Sequence, residues 1–329
     1  MAKALSAISP ASRAIVSPVP GTVLPSFGAL FSIGPSRGAA AAGRLGSNVQ
    51  GLWLTGAKEL AVRTVSLTGL PTDSHSSYLR GPAAAPALIR QALGSDHWNR
   101  SSESGIDLDV DLCVEDGGDL ALDEGEGDFD RIRMSAREAA AAGKVPIFLG
   151  GDHMVTYPVV AGIADALGPV QILHFDAHPD LYDDFEGDPL SHASPFARIM
   201  EGGMATRLVQ VGIRTLNAHC REQAARFGVE IVAAADFAAA AVPIPHGPLY
   251  ISIDIDALDP AYAPGVSHHE PGGLSVREIL SVLHRVQSRI VGADVVEYNP
   301  QRDINGMTAV VAAKFVKELA ALAARGDSQ

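Results

Sequence analysis

Residues 171–180 read Gln-Ile-Leu-His-Phe-Asp-Ala-His-Pro-Asp, an apolar run that ends in three ionisable side chains, Asp176, His178 and Asp180. Their spacing of two predicts that all three share one side of an extended chain. A strand inside a parallel sheet gains nothing from such a cluster, whose repulsion is costly unless cations offset it. Two further runs end in the same way. Val145–Leu149 leads into Gly150-Gly151-Asp152-His153, and Leu249–Ile255 carries Asp254 and Asp256 at its end. Open parallel sheets place their sites at the C-terminal ends of strands, so the three motifs are expected to converge.

Outward from these motifs, short apolar runs alternate with Ala-rich helical stretches up to the C-terminus. That alternation predicts an α/β fold, a parallel sheet with helices on both faces. Besides Val145–Leu149, Gln171–Phe175 and Leu249–Ile255, strands are expected at Ala61–Leu67, Leu208–Val211, Val229–Val232 and Ile290–Val296. Helices are expected at Pro82–Leu93, Asp128–Ala142, Val155–Leu167, Ser194–Glu201, Ala218–Phe227, Val276–Gln287 and Met307–Ala324. The stretch Ile106–Asp130 is acidic and Gly-rich and reads as a surface connection. Nothing resembling a linker interrupts the rest, so one domain is expected over residues 59–324, with a tail at 325–329.

The chain of 329 residues is long enough for a large core, and its formal charge of -13 without a Lys/Arg-dense stretch argues against nucleic acid as a partner. Two cysteines, Cys113 and Cys220, are too few for a disulfide framework or a thiolate zinc site and read as buried free thiols. Prolines interrupt the apolar run from Ala14 to Gly34, and no membrane helix is expected. No acidic residue precedes Glu59, while Lys3, Arg13, Arg37 and Arg44 lie among Ser, Ala, Pro and Gly. Residues 1–44 therefore read as an organelle transit peptide or a leader without an address, and 45–58 as a linker.

Four carboxylates with two imidazoles match the charge of two divalent ions. Mostly oxygen donors, a minority of imidazole and no thiolate suit manganese better than structural zinc, with nickel or iron as alternatives. Paired metals generate a hydroxide and stabilise charge developing on a substrate between them, which is hydrolytic chemistry. Taken alone, Gly150-Gly151-Asp152-His153 also fits a tight turn whose Asp caps the next helix. His174 lies on the same side as Asp176 and reads as a supporting or core residue.

These residues carry a pattern that resembles the ureohydrolase family of arginases and agmatinases. FLGGDH, FDAHPDLYDDFEGDPLSHASPFARIMEGG, YISIDIDALDPAYAPGVSHHEPGGLS and VGADVVEYNPQRD stand in family order, and SSYLRGPAAAPALIR (Ser76–Arg90) resembles the family's first crossover helix. The later motifs look most like the plant and algal arginase branch. The resemblance implies a three-layer α/β/α domain with a central sheet of about eight strands. It implies one metal held by His153, Asp176, Asp180 and Asp254, and a second by Asp176, His178, Asp254 and Asp256, the pair being Mn2+. It assigns His192 as the histidine that moves a proton to the departing amine and Glu297 as the carboxylate that receives the substrate guanidinium; Asp180 is the expected acceptor of the hydroxide proton. Chemically, a histidine titrates near neutral pH, and a carboxylate ending an apolar strand asks for a cationic partner.

The resemblance implies a small guanidino substrate: arginine, or alternatively agmatine, guanidinobutyrate or guanidine. The acidic loop Tyr182–Asp188 would favour an amine over a carboxylate if its side chains pointed inward. His268 and His269 lie in a Gly/Pro-bounded loop and either shape specificity at the site entrance or face solvent. A catalytically silent metal-binding scaffold is the reading from another class, and no ligand, shuttle or anchor is missing to favour it. A homotrimer or homohexamer, and a mitochondrial address ahead of a chloroplast or cytoplasmic one, complete the expectations.

Overall fold

The computed structural model describes residues 63–96 and 98–325. The expected leader and linker, the start of the strand predicted at Ala61 and all but the first residue of the tail lie outside the described residues. Eight strands form one sheet: β1 (Thr64–Gly69), β2 (Cys113–Asp119), β3 (Val145–Leu149), β4 (Val170–Phe175), β5 (Ala205–Ile213), β6 (Glu230–Ala233), β7 (Leu249–Asp254) and β8 (Ile290–Val296). Their order is β2-β1-β3-β8-β7-β4-β5-β6, and every pairing is parallel.

Seven helices cover the sheet: α1 (Ala85–Leu93), α2 (Asp128–Ala141), α3 (Thr156–Leu167), α4 (Pro195–Glu201), α5 (Ala218–Phe227), α6 (Val276–Leu283) and α7 (Met307–Ala324). Alternating strand residues feed two separate cores. On β4, Leu173 and Phe175 pack with Ile89 of α1, Ile279 of α6 and Phe315 of α7, whereas Val170 and Ile172 pack with Ile132 of α2, Val159 of α3 and Phe196 of α4. This is a three-layer α/β/α domain. Strands β3, β7 and β8 are buried along their whole length, which is why they read as nearly continuous apolar runs.

The strand order explains the convergence. Strands β3, β8, β7 and β4 are neighbours in the middle of the sheet, so the residues that follow them meet at one edge although they are far apart in sequence.

Three expectations need correction. The supposed connection at Ile106–Asp130 contains β2, an edge strand that pairs only with β1. Its sequence, CVEDGGD, is mostly exposed and lacks apolar alternation; its charges pair outward, Asp116 with Arg90 and Glu115 with Lys144. Such charges protect an edge from pairing with another chain, and they also hide it from periodicity. Cys113 lies on this strand and is exposed, so only Cys220 is a buried thiol. Helix α6 also stops at Leu283, short of the predicted Gln287, after starting on a Ser275–Glu278 capping box. Among the described residues no helix is long and apolar enough to cross a membrane.

Candidate active site

The turn after β3 requires both of its glycines. A Cβ on Gly150 would lie 2.4 Å from Val296 Cγ1, and one on Gly151 would lie 1.6 Å from the Thr72 carbonyl oxygen. The close approach locks this turn to β8: Gly150 N–H donates to the Val295 carbonyl (2.8 Å), and Glu297 N–H donates to that of Gly151 (2.9 Å). The Asp152 carboxylate accepts from the backbone N–H groups of Met154 (3.1 Å) and His75 (2.9 Å). It caps the 3-10 turn His153–Val155 rather than facing the cluster. Burial, followed by the Glu297 charge, pushes its pKa up to about 7.

The carboxylates come together differently from the expected strand alternation. β4 ends at Phe175, and residues 176–180 leave the sheet, with Asp180 in left-handed backbone at φ 49°. Asp256 likewise lies in a 3-10 turn, Ile255–Ala257, beyond the end of β7. Turns, not a shared strand face, bring these groups together. Left-handed backbone at a non-glycine residue costs of order 1–3 kcal/mol and concentrates at functional sites. Glu297 is the second case in this site, at φ 62°.

All six expected ligands meet. His153 Nδ1 lies 3.1 Å from Asp176 Oδ2, 3.0 Å from Asp180 Oδ2 and 3.2 Å from Asp254 Oδ2. That buried nitrogen makes a directed hydrogen bond to none of them. His178 Nδ1 lies 3.3 Å from Asp176 Oδ1 and 3.1 Å from Asp256 Oδ2. Burial, and then the charges of Asp256 and Asp176, hold the Asp254 carboxyl well above its usual range. An undirected ring nitrogen among crowded carboxylates is what a cation between them would resolve, so the residues present fit a metal centre. Among the described residues, two His/Asp groups bring their ligand atoms close enough to share a metal ion: His153 with His174 and Asp176, and Asp176 with His178 and Asp256.

His174 supports rather than completes the first group. Its Nε2 lies 2.9 Å from Asp176 Oδ2 and its Nδ1 lies 3.1 Å from Gln210 Nε2, so both nitrogens are engaged. Three residues missed in the sequence also support the ligands. Ser252 Oγ lies 3.0 Å from His153 Nε2 and donates to Asp294 Oδ1 (2.6 Å), while Asp294 Oδ2 also accepts from Thr156 and Tyr250 hydroxyls. Arg214 ties the Asp256 turn to the next loop, donating to the carbonyls of Asp256 (2.7 Å) and Glu270 (2.6 Å). Ser252 and Asp294 left a signal: Ser252 is two residues before Asp254, and Asp294 is a charge inside an apolar run. Arg214 left none, because its partners are backbone carbonyls.

His192 and Glu297 form a buried pair beside the cluster. His192 Nδ1 lies 2.8 Å from Glu297 Oε1, which also accepts from the His153 backbone N–H (2.9 Å). Burial works to lower the His192 pKa, but the Glu297 charge and hydrogen bond raise it to about 9. Both residues line a cavity of about 250 Å³ with His178, Asp180, Asp254 and His268. His268 is inside the site, its ring 5.3 Å from His192 and 5.8 Å from His178, whereas His269 is exposed and bonded to the Pro264 carbonyl. From the acidic loop only Tyr182 and Phe185 line the cavity; Asp183, Asp184 and Glu186 are exposed, and Asp183 pairs with His219.

The Arginase family profile matches residues 63–321. Arginase 1, mitochondrial, of Arabidopsis thaliana is 50% identical over 278 residues, covering 79% of this chain and 81% of its own. Agmatinase, mitochondrial, of Gallus gallus is 34% identical over 77% of this chain and 79% of its own. Among solved structures, arginase from Medicago truncatula superposes with a TM-score of 0.76 at 46% identity, covering 80% of this chain and 88% of that one.

Proposed function

The chain belongs to the arginase family, and on that premise we propose that it is an arginase, hydrolysing L-arginine to L-ornithine and urea. The observation that carries the reading is the buried His192–Glu297 pair, which shares one cavity with His178, Asp180 and Asp254 of the His/Asp cluster. His153, Asp176, Asp180 and Asp254 would hold one metal, and Asp176, His178, Asp254 and Asp256 the other, both Mn2+ by donor chemistry. When bound, such a pair supplies hydroxide at neutral pH and neutralises developing charge.

The chain's own residues do the rest. A guanidinium is resonance-stabilised, so its carbon must be fixed against the nucleophile; the Glu297 carboxylate offers the planar match that fixes it. Asp180 accepts the proton of the attacking hydroxide, whose oxygen becomes the carbonyl oxygen of urea. The tetrahedral carbon then loses its bond to the side-chain nitrogen, which departs as an amine once it gains a proton from His192. With a pKa near 9, His192 is the imidazolium at neutral pH and has that proton to give.

One observation favours agmatine as a second substrate: among the described residues no Lys or Arg lines the cavity to meet an α-carboxylate, whereas Glu270 does line it. Against this, Asp183, Asp184 and Glu186 of the 182–188 loop are exposed, and Asp188 pairs with His75 outside the cavity. Urea release by the manganese-loaded protein, with arginine, agmatine, guanidinobutyrate and guanidine in parallel, tests the assignment, and turnover of agmatine alone would overturn it. The relatives named mitochondrial support a mitochondrial address for this chain, and family assembly supports a homotrimer or homohexamer, to be read by light scattering.

A further inference from the structure

His192 has two ring nitrogens, and the fold engages both. Nδ1 faces Glu297 Oε1 at 2.8 Å, and Nε2 faces the Ser77 hydroxyl oxygen at 2.8 Å. In the imidazolium each nitrogen donates, one to a carboxylate and one to a hydroxyl. Glu297 is a poor route for the proton that the leaving amine needs, because its carboxylate must stay ionised to hold a guanidinium. The other route ends on Ser77, which itself lines the substrate cavity beside His192 and Glu297. A hydroxyl accepts through its lone pair while giving up its own hydrogen, so it passes a proton without changing charge. Resting on the reading above, we propose that Ser77 is a further catalytic residue, the hydroxyl through which the His192 Nε2 proton reaches the leaving nitrogen.

The step balances. As the carbon–nitrogen bond of the tetrahedral species breaks, its electron pair stays on nitrogen and takes the Ser77 Oγ hydrogen, while the carbon–oxygen double bond of urea forms and the hydroxyl hydrogen passes to Asp180. Ser77 Oγ takes the Nε2 hydrogen in turn. His192 becomes neutral imidazole, the hydroxyl is restored, the amine departs neutral, and nothing is oxidised or reduced.

Two features make this contact a property of the fold. The backbone N–H of His192 donates to the His75 carbonyl (3.1 Å), tying the segment that carries Ser77 to the segment that carries His192. Ser77 also borders a second cleft, of about 200 Å³, with His75, Ser76, Asp188 and Ser191. Through that cleft the same hydroxyl can reload His192 from water without passing the metal ligands.

The test compares Ser77→Ala and Ser77→Thr in the full-length, manganese-loaded protein. Ser77 is exposed, and neither change removes core packing. Ser77→Ala should lower kcat by roughly 10²-fold or more, the usual scale for proton transfer by a positioned group, with KM and metal content as in the wild type. Ser77→Thr, which keeps the hydroxyl, should recover most of the rate. In mixtures of light and heavy water the wild-type rate should curve with deuterium fraction, because two protons move together, and the Ala variant should give a straight line. Wild-type turnover in Ser77→Ala, a Thr variant as impaired as Ala, or a straight line for the wild type would each overturn the proposal. If the wild type hydrolyses agmatine but not arginine, the arginase reading falls and the Ser77 comparison runs unchanged on agmatine. Urea release from no guanidino compound would sink both.

Discussion

His192 Nδ1 lies 2.8 Å from Glu297 Oε1, so the proposed proton donor and the proposed guanidinium anchor are one hydrogen-bonded pair. The pairing makes each residue's charge state depend on the other. Burial raises the Glu297 pKa and the His192 charge more than reverses it, leaving the carboxyl lowered; for His192, the Glu297 charge overcomes burial and raises the pKa to about 9.

A pH dependence follows, with a definite sign. The acid form of His192 is the working form, so its contribution is present below its pKa and is lost as pH rises through about 9. Glu297→Gln removes the charge that raises that pKa and leaves the burial that lowers it. The basic limb of kcat/KM should therefore fall from near pH 9 in the wild type toward or below the ordinary histidine value of ~6.5 in the variant. KM should rise as well, since the amide keeps the shape but not the charge. An unmoved basic limb in Glu297→Gln would show that another group sets it.

Removing the donor separates chemistry from binding. His192→Ala should lower turnover by roughly 10²–10⁴-fold and leave metal content unchanged, because the side chain of His192 bonds to Ser77 and Glu297 and packs on the His268 ring, none of them a proposed ligand. Steady-state kinetics with metal analysis on the same preparation checks this. Near-normal turnover would remove His192 from the mechanism, and loss of metal would make it a ligand.

The ligand assignments predict how metal content divides. His153 is assigned to one metal only and Asp256 to the other, whereas Asp176 and Asp254 are assigned to both. Alanine at His153 or Asp256 should leave about one ion per chain, while alanine at Asp254 should weaken both. Elemental analysis after dialysis decides it, and one ion per chain in the fully active wild type would refute a pair.

The clustering of these residues was legible because each motif breaks a rule: ionisable groups at the end of a buried strand have no structural benefit, and Asp176, His178, Asp180, Asp254 and Asp256 all break it. The manner of their meeting was not legible. Spacing of two suggested a shared strand face, yet Asp180 and Glu297 take left-handed backbone that no pattern of residue types announces. Strand β2 escaped for the opposite reason, being an exposed edge with almost no apolar residue to show a period. Ser77 and Arg214 escaped because a serine before a helix and an arginine after a strand are ordinary until their partners are seen.

Ser252 supplies the last prediction. Its hydroxyl donates to Asp294 Oδ1 (2.6 Å), which leaves its lone pair to accept from His153 Nε2 at 3.0 Å. A proton on Nε2 keeps the lone pair of Nδ1 free, and Nδ1 is the atom that faces Asp176, Asp180 and Asp254. Ser252→Ala should leave Nε2 without its partner and let the ring turn, while Asp294 keeps its bonds from Thr156 (2.7 Å) and Tyr250 (2.5 Å). Loss of such a supporting hydrogen bond typically weakens metal affinity ~10–100-fold, and here it should do so only for the metal that His153 holds. A chelator titration should then show one ion leaving the variant at lower chelator concentration than in the wild type and the second leaving unchanged. Release of both ions at wild-type concentrations would mean that packing against Phe196, whose ring lies 5.3 Å away, fixes the imidazole without help from Ser252.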